Sequence, residues 1–289
     1  MANAASPIVV LDSGLGGLTV LRELQRQSPA ENIVYFGDTA RVPYGTKSPE
    51  TVTTFVSEII GFLQRYRPKH VVIACNTATA VALEAMKIEF PHLPITGVID
   101  PGARAAIDAA GNKPIPRIAV IATEATVRSK AYERAIFRRR QHATLFIQPT
   151  PLLVPIIEDG RHENDPMVKI ALTQYLQPLQ KRQLDVLVLG CTHYPIYKDL
   201  ISQMMGCRVI DSAEQCAQDV TQRLLIAGLS APAGTTGTLK CFVSDDPIRF
   251  RALAGRFLGT EIELPTRVSP EDLTAAAVPT ITIPLRAAG

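Results

Sequence analysis

The chain has 289 residues, 46% hydrophobic and 20% charged, the balance of a soluble globular protein with room for two domains. Its net charge of +3 is too mild to argue for nucleic acid or a membrane surface. The five cysteines are odd in number and form no C-x-x-C pair, which weighs against a secreted disulfide scaffold, a zinc site and thioredoxin-type chemistry.

The opening residues, Met1 to Pro7, lack the basic start and apolar core of a signal peptide, and no apolar stretch approaches the roughly 20 residues a membrane span requires. Reduced thiols in the cytoplasm are the simplest reading. Pro7 to Leu11 then reads as a strand, Asp12 to Gly17 as a glycine-rich loop, and Leu18 to Gln27 as a helix. Ile33 to Phe36 is a second strand, ended by Gly37-Asp38. Ser48, Pro49 and Glu50 follow in the order cap residue, Pro at the first helical position, acid in the first turn. Val52, Phe55, Val56, Ile59, Leu63 and Tyr66 give that helix one buried stripe. Alternating strands and helices predict an α/β fold with mostly parallel sheets.

The pattern then begins again. Arg117 to Thr123 resembles Pro7 to Ser13, Cys191 follows Cys75 by 116 residues, and Ile210-Asp211 follows Ile99-Asp100 by 111. Matches at nearly constant offset imply an internal duplication, hence two pseudo-symmetric α/β halves facing each other across a cleft. Each Ile-Asp segment is read as the end of a copy. The expected division is a first domain over 1–97, a second over 98–209, and a segment over 210–289 that returns to complete the first. It carries a helix (Ala213 to Ala227), a strand (Leu239 to Val243) and a helix beginning at Asp245-Asp-Pro247. Beyond Val268 the Pro/Ala-rich tail gives no firm signal. The basic run Arg138 to Arg140 reads as a solvated helix face.

The chemistry lies in two segments. His70 to Ile73 and Val186 to Gly190 are aliphatic runs that lead into Cys75 and Cys191, and each is followed by polar residues and a helical signal. A thiol at the carboxyl end of a parallel strand sits where α/β folds bind ligands. It also faces helix-terminal N–H groups, an arrangement expected to favour the thiolate. Two such thiols on duplicated scaffolds suggest a reaction that needs the same group twice. The loop from Asp12 to Gly17 can aim backbone N–H groups at one anion. Asp12 itself is either a helix cap or a proton-handling group beside a thiol. Tyr44 and the Gly45 amide are candidates for hydrogen-bonding a substrate. Asn76, Thr77 and Thr192 can cap helices, grip a carboxylate, or both. His193, two residues beyond Cys191, is placed to help ionise that thiol. Cys207, Cys216 and Cys241, and the histidines at 70, 92, 142 and 162, read as structural.

Taken in order, Leu11 to Leu18, Tyr35 to Gly45, Ile73 to Ala78, Pro151 to Glu158, Leu189 to Pro195 and Ser244 to Pro247 resemble the glutamate racemases, of the cofactor-independent aspartate/glutamate racemase superfamily. The likeness runs from Pro7 to Gly259. It implies interconversion of L- and D-glutamate, supplying D-glutamate for bacterial peptidoglycan, without pyridoxal phosphate, metal or nucleotide, by a cytoplasmic homodimer. It implies Cys75 and Cys191 as the proton-transferring pair, Cys75 serving D-glutamate and Cys191 serving L-glutamate. Asp12 and His193 are their respective helpers, with Glu158 behind the histidine. Substrate contacts carry over to Ser13, Tyr44, Gly45, Asn76, Thr77, Thr126 and Thr192. Ala125 stands where the family often has Gly, and Thr150 where it often has Cys.

Two thiols make chemical sense here. Racemisation removes the α-proton from one face and returns one to the other, so each base must also serve as an acid. A thiol, with a free pKa of about 8.5, suits both roles. The alternatives are a racemase for aspartate or another small acid, a non-catalytic carboxylate-binding protein, and a thiol-redox enzyme, the last requiring cysteines close enough to bridge.

Overall fold

The computed structural model of the chain describes residues 2–277. It contains strands β1 (Ile8–Asp12), β2 (Ile33–Gly37), β3 (His70–Ile73), β4 (Ile95–Gly97), β5 (Arg117–Ala122), β6 (Thr144–Pro149), β7 (Val186–Gly190), β8 (Arg208–Asp211), β9 (Leu239–Val243) and β10 (Thr266–Arg267). The helices are α1 (Leu18–Gln27), α2 (Pro49–Leu63), α3 (Asn76–Glu89), α4 (Ile99–Ala110), α5 (Glu124–Arg128), α6 (Ala131–Phe137), α7 (Leu153–Glu158), α8 (Pro166–Gln180), α9 (Lys198–Met205), α10 (Ser212–Ile226), α11 (Pro247–Leu258) and α12 (Pro270–Ala277).

The strands form two sheets. One runs β10-β9-β2-β1-β3-β4 and the other β6-β5-β7-β8, with every pairing parallel. Without the added pair β9 and β10, the first sheet has the order 2-1-3-4. The second repeats that order strand for strand. Cys75 therefore follows β3, and Cys191 follows its counterpart β7. The α/β class read from the alternating pattern is the class observed.

Local sequence explains the elements. Strands β1, β2, β3 and β7 are buried at every residue, as the unbroken aliphatic runs require for strands covered on both faces. Ser48 caps α2 by accepting from the Thr51 N–H, with Pro49 at the first helical position. The chain passes from the first sheet to the second through α4 and returns through α10, which packs on both α1 and α4.

The structure departs from the sequence reading in three places. Ile99 and Asp100 do not end a strand as Ile210 and Asp211 do; they form the first turn of α4, so the repeats diverge there. After Cys191 the chain makes a turn and a 3-10 segment (Tyr194–Tyr197) before α9, rather than entering an α-helix at once as it does after Cys75. Past Val268 it folds into α12, which packs on α2 through the fully buried Leu273. One such side chain supplies about 1.5–3 kcal/mol, enough to dock a short helix. The tail beyond residue 277 lies outside the described residues.

Candidate active site

Cys75 is the residue from which α3 starts, and it is buried together with Cys191. Both thiols are free. They lie close enough that a charge on Cys191 raises the pKa of Cys75. Each has its own helper set.

Asp12, at the end of β1, is 1% exposed. Its Oδ2 accepts the Gly14 N–H at 2.8 Å, while Oδ1 has no hydrogen-bond partner among the described residues. Asp12 thus orders the glycine loop rather than capping α1, whose N-cap is Gly17. Burial raises the Asp12 pKa, against the charge on His193 and the Gly14 and Gly17 N–H groups. Cys75 is pushed up to about 12, first by burial and then by the charge on Asp12; the Ala78 N–H and the Ser13 hydroxyl pull it down. At Cys75 the helix-start N–H pulls toward the thiolate as expected, but burial outweighs it. Desolvation of the charged form outweighs a single N–H and a hydroxyl. Burial thus favours the protonated form of this thiol.

The other set is a chain of three side chains in contact. His193 Nδ1 lies 3.8 Å from Cys191 Sγ, and His193 Nε2 lies 2.9 Å from Glu158 Oε1. Burial alone would lower the His193 pKa. Its hydrogen bonds to Cys191 and Glu158, with the charges of both, override burial and lift it to about 10. Burial pushes Glu158 up, but the histidine and the charge on Arg249 hold it below the ordinary carboxylate range. The Phe257 ring meets the imidazole edge-on, with centroids 5.6 Å apart, which restrains its tilt.

The glycine loop belongs to both halves. A Cβ built on Gly16 would lie 2.5 Å from both His193 Nδ1 and Thr192 Oγ1, so only glycine lets β1's loop seat against the Cys191 segment. The Thr19 hydroxyl lies 2.9 Å from the Thr192 carbonyl and ties α1 to the same segment. Across the cleft, the hydroxyls of Thr77 and Thr123 meet at 3.2 Å, and Thr123 donates to Thr126 at 3.1 Å. Thr123 also caps α5. Neither Thr19 nor Thr123 stood out in the sequence, because each contact is made only once the halves pack.

Asn76 is 2% exposed; its Oδ1 accepts from the Tyr132 hydroxyl at 2.9 Å, and its Nδ2 has no partner among the described residues. One anionic acceptor (Asp12 Oδ1) and one amide donor (Asn76 Nδ2) thus stand unpaired beside Cys75. They suit the ammonium and carboxylate ends of an amino acid.

Tyr44 is placed differently from its sequence reading. Its hydroxyl donates to Asp38 Oδ2 at 2.5 Å, and its ring packs on Phe55. Asp38 is fully buried and also accepts from Arg41 Nε at 2.7 Å and Ser244 Oγ at 2.8 Å, leaving the tyrosine hydroxyl committed inside the first half. The neighbouring Gly45 carbonyl accepts from Arg128 of α5 at 3.4 Å, a contact between the two halves. Among the described residues there is no cluster of three or more His, Cys, Asp or Glu able to hold a metal ion, and no helix is long and apolar enough to cross a membrane.

The chain and its fold resemble known proteins. The family model described as Asp/Glu/Hydantoin racemase matches residues 8–220. The glutamate racemase of Neisseria meningitidis is 43% identical over 258 residues, covering 89% of this chain and 94% of the relative. Among solved structures, the glutamate racemase of Francisella tularensis in complex with D-glutamate superposes with a TM-score of 0.85 at 33% identity, covering 92% of this chain and 98% of that one. That of Thermus thermophilus, in complex with beta-chloro-D-alanine, gives 0.83 at 42%, covering 93% and 99%. The chain belongs to the Asp/Glu/hydantoin racemase family. Within it, the relatives that match at this level over nearly the whole chain are glutamate racemases.

Proposed function

We propose that this chain is an isomerase interconverting L- and D-glutamate by two-base proton transfer between Cys75 and Cys191. The observation that carries this reading is the pair of buried, unbridged thiols at equivalent strand ends of a duplicated fold, each with its own proton-handling partner.

On one face, Cys191 takes the α-proton of L-glutamate, with His193 and Glu158 holding the charge that forms on sulfur. On the other, the protonated Cys75 delivers a proton to the planar carbanion, and Asp12 receives and returns protons at that thiol. In the reverse direction the roles exchange. The α-proton is a very weak acid, so donors must meet the negative charge that spreads into the carboxylate. Thr77, Thr192 and the Leu15 and Gly16 amides are the donors assigned to that charge, while Asn76 Nδ2 grips the carboxylate in ground and transition states alike. Ser13 steadies the Cys75 sulfur, and the Thr123–Thr126 hydroxyls close the far wall.

The site residues are nearly all shut from solvent. Substrate therefore enters when the halves part, and their closure expels water and strengthens each electrostatic contact. The product is D-glutamate for bacterial peptidoglycan, the role that follows from the family. We further propose that the active species is a cytoplasmic homodimer, with domain limits at 97/98 and 209/210; light scattering on the purified chain tests the assembly. The catalytic reading is tested by incubating metal- and pyridoxal-free protein with L-glutamate. D-Glutamate accumulating to a one-to-one ratio supports it. A requirement for added cofactor, or faster turnover of aspartate, sinks it.

A further inference from the structure

Tyr132 lies on α6, in the second half of the molecule, yet its hydroxyl donates to Asn76 of the first half, 56 residues away in sequence. The ring is 2% exposed and packs in the apolar core around β5 and β7. The hydroxyl end is wedged at the junction of α4 and α10: a Cβ on Gly102 would lie 3.6 Å from the phenol oxygen and 3.1 Å from the Ser212 side chain. Ser212 Oγ donates to the Leu189 carbonyl at 2.8 Å and stands beside the phenol oxygen as a second polar neighbour. The tyrosine is thus held by the two helices that carry the chain between the sheets, and its O–H donates to the Asn76 side-chain oxygen.

A primary amide has one oxygen and one nitrogen end, and a half-turn exchanges them. With Oδ1 taken by the tyrosine hydroxyl, Nδ2 is the end left over. It is buried and has no partner among the described residues. We infer that Tyr132 is a positioning residue for catalysis, fixing the Asn76 amide so that its nitrogen, not its oxygen, faces the substrate carboxylate. The inference rests on the assignment of Asn76 to that carboxylate under the proposed function. It adds that the second half of the fold sets the donor polarity of a group belonging to the first. Without the hydroxyl the amide can turn, and in the turned state Oδ1 repels the carboxylate.

The test is steady-state kinetics with both enantiomers on Tyr132→Phe, Asn76→Ala and the double variant, with thermal melts of each. A carboxylate grip present in ground and transition states alike acts on KM. Tyr132→Phe keeps the ring and is expected to raise KM about three- to tenfold for L- and D-glutamate equally, the range a lost neutral hydrogen bond spans, with kcat changed less than about twofold. In the Asn76→Ala background it should add nothing further. An unchanged KM in Tyr132→Phe alongside a raised KM in Asn76→Ala overturns the positioning role and leaves the site reading standing. Additive effects of the two substitutions, or a Tyr132→Phe chain that does not fold, make the tyrosine a structural tie and also overturn it. An unchanged KM in Asn76→Ala removes the carboxylate assignment and this inference with it.

Discussion

Replacing Gly16 with alanine should disable the enzyme through geometry, without removing any group that takes part in the reaction. The added methyl would sit 2.5 Å from His193 Nδ1 and Thr192 Oγ1 and 2.6 Å from His193 Cε1, whereas ordinary contacts at a Cβ begin at 3.4 Å. Relief requires a displacement of about 1 Å in the imidazole or the loop carrying it. A misplacement of that size costs on the order of 100-fold in rate. Overpacking of this kind costs about 1–3 kcal/mol of stability, against the roughly 5–15 kcal/mol that holds a folded domain, so the variant remains folded. Enantiomers have equal free energies, so kcat/KM falls equally in both directions and cannot reveal which base was disturbed. Exchange at the α-carbon can. In deuterated water, uptake into L-glutamate, assigned under the proposed function to Cys191 and His193, should fall further than uptake into D-glutamate, assigned to Cys75. Racemisation within about threefold of wild type, in a variant with an unshifted melt, would refute the claim that Gly16 holds the two halves in catalytic register.

Glu158→Gln removes the carboxylate behind His193, so the histidine should lose its proton at lower pH and the alkaline limb of kcat/KM should move downward. Stability follows the same ionisation: a histidine lifted from 6.5 to about 10 contributes stability that is complete below pH 6.5 and lost as pH rises to about 10. The gap in melting temperature between wild type and Glu158→Gln should therefore narrow across that window, as pH-resolved melts and rate profiles would show. Tyr44→Phe should cost about 1.5–3 kcal/mol of stability, the worth of a buried hydrogen bond to a charged acceptor, and leave KM within about twofold, because that hydroxyl faces Asp38. A large KM effect with an unchanged melt would instead put the hydroxyl on the substrate.

The α/β class and the places of both cysteines were legible because they rest on local pattern. An aliphatic run buried on both faces can hardly be anything but an inner strand, and the residue after it must stand at the sheet's carboxyl edge. The duplication was legible for the same reason, since it repeats that pattern at a fixed offset. What escaped the sequence was set by contacts made only on packing. Thr19 meets Thr192 across 173 residues, and the clearance that requires Gly16 to be glycine is set by His193. Tyr44 carries a polar group in a loop next to the site, but the buried Asp38 claims it. Cys75 was misjudged in one respect: a helix start supplies donors that the sequence can reveal, while the desolvation that outweighs them depends on burial, which it cannot. Helix α12 was missed because its segment is poor in large apolar residues, Leu273 being the buried one among the described side chains.

The central claim is that two thiols, one on each face, carry the proton. It is tested most directly by proton NMR of α-deuterium uptake in deuterated water with Cys75→Ala and Cys191→Ala, each begun from pure L- and pure D-glutamate. Net racemisation should collapse in both variants. Residual uptake in Cys75→Ala should favour L-glutamate, whose base Cys191 remains, and in Cys191→Ala it should favour D-glutamate. Near-wild-type racemisation in either variant would contradict the two-thiol account, and uptake lost equally from both enantiomers would contradict the assignment of one thiol to each face.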